Sequence, residues 1–179
     1  MLRNALALGA DNAVALKSDA SDPLAIASAL AAFAKERGFD LILAGNKGMG
    51  GDNASVGPMV AELLGWGQAN VVVKLEIGEG TFRAEREIEG GSEVVEGALP
   101  AVITAQKGLN EPRYASLKGI MGAKKKTIEE LEGVAPAGVM TTSALTLPPT
   151  RPEGRKLEGD TAAQVGALLG LLKDEAKVF

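Results

Sequence analysis

Cysteine and histidine are both absent from the 179 residues. Without cysteine there is no disulfide, no thiolate nucleophile and no Cys/His zinc site. Without histidine, a Ser-His-Asp triad and an imidazole general base are excluded as well. A hydrolase or metalloenzyme built on this chain would rely on Asp, Glu and Lys alone. Aromatic residues make up only 3%. The 46% hydrophobic fraction is therefore carried largely by Ala, Val and Leu, which suit close helix-on-sheet packing in an α/β layer fold. A cationic excess is lacking too: the net charge of −4 and a pI near 5.0 argue against wholesale nucleic-acid binding. No apolar run approaches membrane-spanning length. Met1-Leu2-Arg3 leads into an Ala-rich helical pattern rather than a signal or transit peptide. A soluble, intracellular chain without membrane insertion is expected.

What is present reads as a wind of alternating elements. Leu2, Ala5, Leu6 and Leu8 form a short helical face that stops at Gly9, and Ala13 to Leu16 reads as a short buried strand. The clearest helix has Asp22 as its N-cap, Pro23 in the first turn, Lys35 and Arg37 in the last turn, and Gly38 just beyond. Leu24, Ala27, Leu30, Ala31 and Ala34 give it a packing face. Asp40 to Ala44 is a continuous apolar run, as expected of a central parallel strand covered on both faces. A Gly-rich loop follows, and then a helix from about Ser55 to Leu64, so the order predicts a right-handed parallel wind.

The pattern then changes. Val71–Ile77, Thr81–Glu89 and Glu93–Leu99 are strand-like and are separated by Gly78-Glu79-Gly80 and Gly90-Gly91, a meander of antiparallel hairpins. Phe82, Ala84, Arg86 and Ile88 alternate with Arg83, Glu85, Glu87 and Glu89, so one face is solvated or paired with a partner. Ala101 to Ala105 returns to a buried strand. Residues 106–160 read as irregular, with Pro112, Pro136, Pro148, Pro149 and Pro152 scattered through them, and such segments are usually functional or partner-bound. A last amphipathic helix is predicted from about Thr161 to Lys173. A doubly wound sheet rarely opens on a helix. The wind looks entered midway, with strands upstream of Met1 expected; the alternative is a small fold that begins with a helix.

The Gly-rich loop is the first candidate site. Gly45, Asn46, Lys47, Gly48, Met49, Gly50, Gly51, Asp52, Asn53, Ala54 and Ser55 leave the carboxyl end of a strand and enter a helix N-terminus. Open α/β sheets place ligands there, and free N–H groups attract phosphate. No Gly-Lys-Ser/Thr closes the loop, and Asn53 stands where a dinucleotide fingerprint would need its third glycine. Nucleotide binding and a flexible connection that binds nothing both stay open on spacing alone. The charges at Arg83 to Glu89 suit either a solvated hairpin face or a carboxylate that pairs with a partner's arginine. Lys124-Lys125-Lys126, close to Leu117, Ile120 and Met121, is either plain surface or the charged rim of an apolar docking anchor.

Several stretches resemble the electron transfer flavoprotein β-subunit. They are Leu2 to Asp11, Asp22-Pro23-Leu24-Ala25, Arg86-Glu87-Ile88-Glu89-Gly90-Gly91 and, most specifically, Leu109-Asn110-Glu111-Pro112-Arg113-Tyr114-Ala115-Ser116-Leu117, continuing through Ile120-Met121 to the lysine triplet. The similarity is collinear over nearly the whole chain. It implies an α/β, Rossmann-like doubly wound fold: a mainly parallel sheet with an antiparallel hairpin portion and an irregular C-terminal arm. Residues 1–135 would form the adenine-nucleotide-binding domain, and residues 136–179 an arm and helix that pack on the α-subunit. The N-terminal strands of the family, with further AMP and flavin-facing contacts, would lie outside this sequence. That predicts a weakened or absent AMP site, marginal stability of the isolated chain and an aggregation-prone sheet edge.

The resemblance also implies a function without catalysis. A heterodimer with an FAD-bearing α-subunit would relay electrons from acyl-CoA and related dehydrogenases of fatty acid oxidation to the respiratory chain. AMP would be held structurally at Gly45 to Val56, although family members often carry acidic residues where Gly50 and Gly51 stand. The recognition loop would run from Arg113 to Lys124, with Arg113, Tyr114, Ala115, Ser116, Lys118, Gly119, Ile120, Met121 and Lys124 around Leu117. That leucine matches one that enters an apolar pocket on acyl-CoA dehydrogenases. Gly119 and Gly122 depart from the Asn and Lys common in the fatty-acid-oxidation group. Glu87 matches a carboxylate that pairs with an arginine of the FAD domain and controls its swing. The implied compartment is the cytoplasm of a bacterium or archaeon, or the mitochondrial matrix of a eukaryote. The alternatives are an adenine-nucleotide-binding sensor and a nucleotide hydrolase; the latter would need a carboxylate cluster for Mg²⁺, and the loop has only Asp52.

Overall fold

The computed structural model describes residues 1–132, 140–151 and 153–179. The expected boundary at Pro136 and the proline at 152 lie outside the described residues. Two compact units are formed, Met1–Thr141 and Thr142–Phe179.

In the first unit the chain runs α1 (Leu2–Leu8), β1 (Val14–Lys17), α2 (Pro23–Arg37), β2 (Leu41–Gly45), α3 (Val56–Leu64), β3 (Gly67–Ile77), β4 (Thr81–Ile88), β5 (Gly91–Ala98), β6 (Ala101–Ala105), α4 (Leu117–Lys125) and β7 (Glu129–Glu132). Local chemistry sets the ends of the helices. Gly9 closes α1 and Gly38 closes α2, both in the left-handed region that favours glycine. The Asp22 carboxylate caps α2 by accepting the N–H groups of Leu24 and Ala25 at 2.8 and 3.1 Å. Its second oxygen accepts the Met140 N–H at 2.9 Å.

The main sheet has five strands in the order β2-β6-β3-β4-β5. The β2–β6 and β6–β3 pairs are parallel, whereas β3–β4 and β4–β5 are antiparallel. The sheet is thus an α/β parallel portion continued by hairpins, as expected. Alternation along β6 divides the core between the two faces. Ala101 and Ile103 join Ala69, Val72, Phe82 and Ala84 on one side. Val102 joins Ala27, Ala31, Val60 and Ala61 beneath α2 and α3, with Trp66 packed at the margin. A separate cluster of Leu6, Ala13 and Ala123 joins α1 to α4.

Four expectations are corrected. β1 does not join the strand at Asp40–Ala44; it pairs in parallel with β7 in a separate two-stranded sheet. The central strand is β6, all but fully buried, whereas β2 lies at an edge and leaves Leu43 60% exposed. A run of apolar residues specifies burial but not position within a sheet, and Ala101 to Ala105 meets the same description. Ala25 and Ala29 are buried in α2, whereas Leu30 is exposed. Leu30 lines an apolar cleft of about 360 Å³ beside β2 with Phe33, Phe39 and Leu43, so the small side chains make the closer approach. Last, residues 106–160 are not irregular throughout, because they contain α4 and β7.

The second unit contains α5 (Thr161–Gly170), continued by a π-helical turn over Leu171–Glu175. Asp160 caps α5 by accepting the Ala163 N–H at 2.9 Å. Arg155 makes a bidentate pair with Glu175, both contacts at 2.8 Å.

Candidate functional site

The carboxyl ends of β2 and β6 meet the bulged first half of β3 at a polar junction. Thr104, the last-but-one residue of β6, is buried at 1% exposure and points to the α3 side of the sheet. Its hydroxyl accepts the Val71 N–H at 3.1 Å. Its single proton faces two amide oxygens, Asn70 Oδ1 at 3.2 Å and Asn46 Oδ1 at 3.4 Å. Val71 has φ of 64°, a conformation that a β-branched residue adopts only where its surroundings impose it. The register of β3 against β6 shifts between Ala69 and Val72. Asn70 and Val71 thus form a bulge, a device that re-aims side chains at sheet ends. Asn70, Val71 and Thr104 escaped the sequence reading; the one available signal was an Asn immediately before a Val run.

The loop from Gly45 to Ser55 rises from the same end. Asp52 closes a turn by donating its N–H to the Gly48 carbonyl at 3.0 Å, and its carboxylate pairs with Lys47 at 2.7 Å. Asp52 and Ala54 have φ of 48° and 47°, and Gly50 has 101°. A Cβ added at Gly45, Gly48, Gly50 or Gly51 would meet nothing within 4 Å, so these glycines leave open approach to the backbone. Met49 is fully exposed, and Gly45, Lys47, Gly51 and Asn53 are also exposed, while Asn46, Ala54, Ser55 and Val56 are half-buried. Ser55 precedes α3 but makes no capping bond, and its hydroxyl is buried without a partner. At the first turn of α3, Gly57 packs so closely on Thr104 that a Cβ would lie 2.4 Å from the threonine methyl. The loop therefore emerges from a rigid junction and carries one buried, unused hydroxyl.

The segment expected as a loop over Arg113–Lys124 is a helix from Leu117 onward. Ser116 caps α4 by accepting the Gly119 N–H at 3.1 Å. The helix divides the expected contact residues into two sets. Gly119 and Ala123 face α1, whereas Leu117, Ile120 and Met121 are 76%, 42% and 59% exposed, with Lys118 and Lys124 exposed beside them. The outward residues follow the i, i+3, i+4, i+7 spacing of one helix face. Tyr114 is fully exposed and Ala115 half-buried just before the helix. Arg113 is exposed and donates to the Leu8 carbonyl at 3.1 Å.

Glu87 is exposed near the end of β4, opposite Ser92. Its neighbours are engaged: Arg83 donates to Glu96 at 3.2 Å, and Arg86 lies 3.6 Å from Glu93. The second distance is too long for a hydrogen bond, and the buried Arg86 Nε has no such partner. No ion pair among the described residues includes Glu87.

The mixed sheet and its strand-end junction define an α/β protein of the Rossmann-like class. The chain belongs to the electron transfer flavoprotein family, as a β-subunit: the family described as "Electron transfer flavoprotein domain" matches residues 1–136. The chain is 42% identical to electron transfer flavoprotein subunit beta of Bacillus subtilis, over 99% of this chain and 74% of that protein. It is 42% identical to the subunit beta of Bradyrhizobium diazoefficiens, over 99% of this chain and 72% of that protein. With the Bos taurus subunit beta the identity is 39%, over 88% of this chain and 65% of that protein. No helix among the described residues is long and apolar enough to cross a membrane.

Proposed function

We propose that this chain pairs with an FAD-bearing α-subunit and relays electrons from acyl-CoA or related dehydrogenases to the respiratory chain. It serves as scaffold and docking surface rather than as a catalyst. When bound, FAD supplies the redox chemistry, and it is held mainly by the α-subunit. The observation that carries the reading is α4: one face is fixed to α1, while the other presents Leu117, Ile120 and Met121 with lysines beside them. A small apolar anchor inside a charged rim gives a contact that forms and dissociates quickly, as a carrier requires. AMP is assigned to Gly45–Val56. The fit rests on the open backbone of the glycines, the uncapped start of α3 and the unpartnered Ser55 hydroxyl. Exposed Glu87 is assigned to pairing with an arginine of the FAD-bearing domain, and residues 136–179 to packing on the α-subunit. The site of action is the cytoplasm in a prokaryote or the mitochondrial matrix in a eukaryote.

The nucleotide hydrolase reading is disfavoured by Asp52. It is the only carboxylate of the loop, and Lys47 already neutralises it. Co-expression with a cognate α-subunit, followed by size exclusion and a flavin absorption spectrum, tests the main reading. A yellow 1:1 heterodimer is expected; an unpaired, colourless chain would overturn it.

A further inference from the structure

We propose that Gly119 is a positioning residue. By having no side chain it lets α4 seat directly on the backbone of α1, and so fixes how Leu117, Ile120 and Met121 are presented to a partner. The inference rests on the docking reading above. A glycine within a nine-residue helix raises the conformational cost of forming that helix, so its position calls for a compensating contact. At Gly119 that contact is clear: a Cβ would stand 2.3 Å from the Ala7 carbonyl oxygen, 3.4 Å from its carbon and 3.3 Å from Ser116 Oγ. The obstruction is α1 backbone, which no rotamer change can relieve. The hydroxyl beside it is already committed to capping α4. Gly122, on the same helix, meets nothing within 4 Å. The tight seat is therefore particular to Gly119 and not common to the glycines of α4.

Two basic side chains also tie the helices together, Arg3 from the first turn of α1 and Lys126 from the carboxyl end of α4. Arg3 of α1 donates one guanidinium nitrogen to the carbonyls of Ala123 and Lys126, at 2.6 and 2.5 Å. In return, Lys126 donates its ammonium to the carbonyls of Ala10 and Asp11 at 2.8 and 3.1 Å. Each helix thus brings a cation to carbonyls at or just beyond the other's carboxyl terminus. Ala123, one turn after Gly119, is buried in the same contact. A helix held at its far end by charge and at its centre by close backbone approach has one seated position. Moving Gly119 outward by about an ångström, to ordinary contact distance, tilts the whole outer face.

The test uses the full chain paired with its α-subunit, with electron transfer from an acyl-CoA dehydrogenase measured at varied flavoprotein concentration. Gly119→Ala is expected to raise the KM for the flavoprotein about tenfold, with a much smaller change in kcat and unchanged flavin content. Helix propensity alone acts in the opposite direction, since alanine favours helix over glycine. Leu117→Ala reports on the docking reading independently. If Leu117→Ala raises KM and Gly119→Ala lowers only thermal stability, the positioning role is wrong. If Leu117→Ala leaves KM unchanged, the docking reading itself falls. Should Gly119→Ala fail to assemble, Arg3→Gln loosens the same seat from the other helix. A raised KM in that variant supports the inference, and an unchanged one overturns it.

Discussion

At the scale of single residues, the junction at Thr104 makes the sharpest demands. Thr104→Val preserves shape but leaves the part-buried Val71 N–H without its acceptor. A loss of about 1–3 kcal/mol in denaturant unfolding is expected. Gly57→Ala forces a methyl toward the Thr104 side chain and should cost a similar amount, about 1–3 kcal/mol, by overpacking. Glu87, by contrast, is exposed and outside the ion pairs of its hairpin. Glu87→Gln is expected to leave assembly and flavin content intact while slowing electron transfer to the α-subunit's flavin roughly tenfold, the worth of one charge-assisted contact. Stopped-flow flavin reduction checks it. Of the junction residues only Asn46 stood out in the sequence, as part of the Gly-rich loop. A lone Thr at a strand end and an Asn before a Val run have no local pattern, because their role arises only where three strands converge.

At the scale of elements, the small sheet of β1 and β7 depends on charge. Glu129, Glu130 and Glu132 crowd one short strand, and Lys17 and Arg37 answer them at Glu130 and Glu129. A hydrogen bond from Lys17 holds the Glu130 carboxyl below its ordinary range, and the same bond raises the Lys17 ammonium above its own. The Glu130 contribution is present above its unfolded pKa and lost as pH falls through the lowered folded value. The Lys17 contribution is present below the ordinary lysine value and lost as pH rises through the raised one. Parent and Lys17→Met proteins should therefore differ most in thermal midpoint around neutrality and converge in acid; both groups are exposed, so the difference is small. The other edge of interest is β2, whose Leu-Ile-Leu-Ala-Gly run carries no charge or proline to discourage pairing. Leu43→Lys is expected to reduce self-association in sedimentation experiments. Elements with strong punctuation were legible in advance: α2 from Asp22, Pro23 and Gly38, and the hairpins from their glycines. The helix at α4 was not, since Pro112 and two internal glycines masked nine helical residues that the α1 contact supports.

At the scale of the whole molecule, the chain forms two compact units. The second buries no residue of α5, and Val165, Leu168 and Leu169 are each about half exposed at helical spacing. Such an uncovered stripe fits the proposed packing on the α-subunit. Leu168→Asp is expected to abolish co-elution with the α-subunit on size exclusion while the unfolding of residues 1–141 is unchanged. The family was legible from the Asn110 to Leu117 run, while the place of β1 outside the main sheet was not, because pairing partners far apart in sequence leave no local trace. The scarcity of aromatic residues has an optical consequence. The only tryptophan, Trp66, packs at the margin of the α2–α3 core, and the only tyrosine, Tyr114, stands fully exposed ahead of α4. Excited at the red edge of its band, beyond the phenol absorption, the single indole reports the melting of the helix layer with no label attached and no contribution from Tyr114.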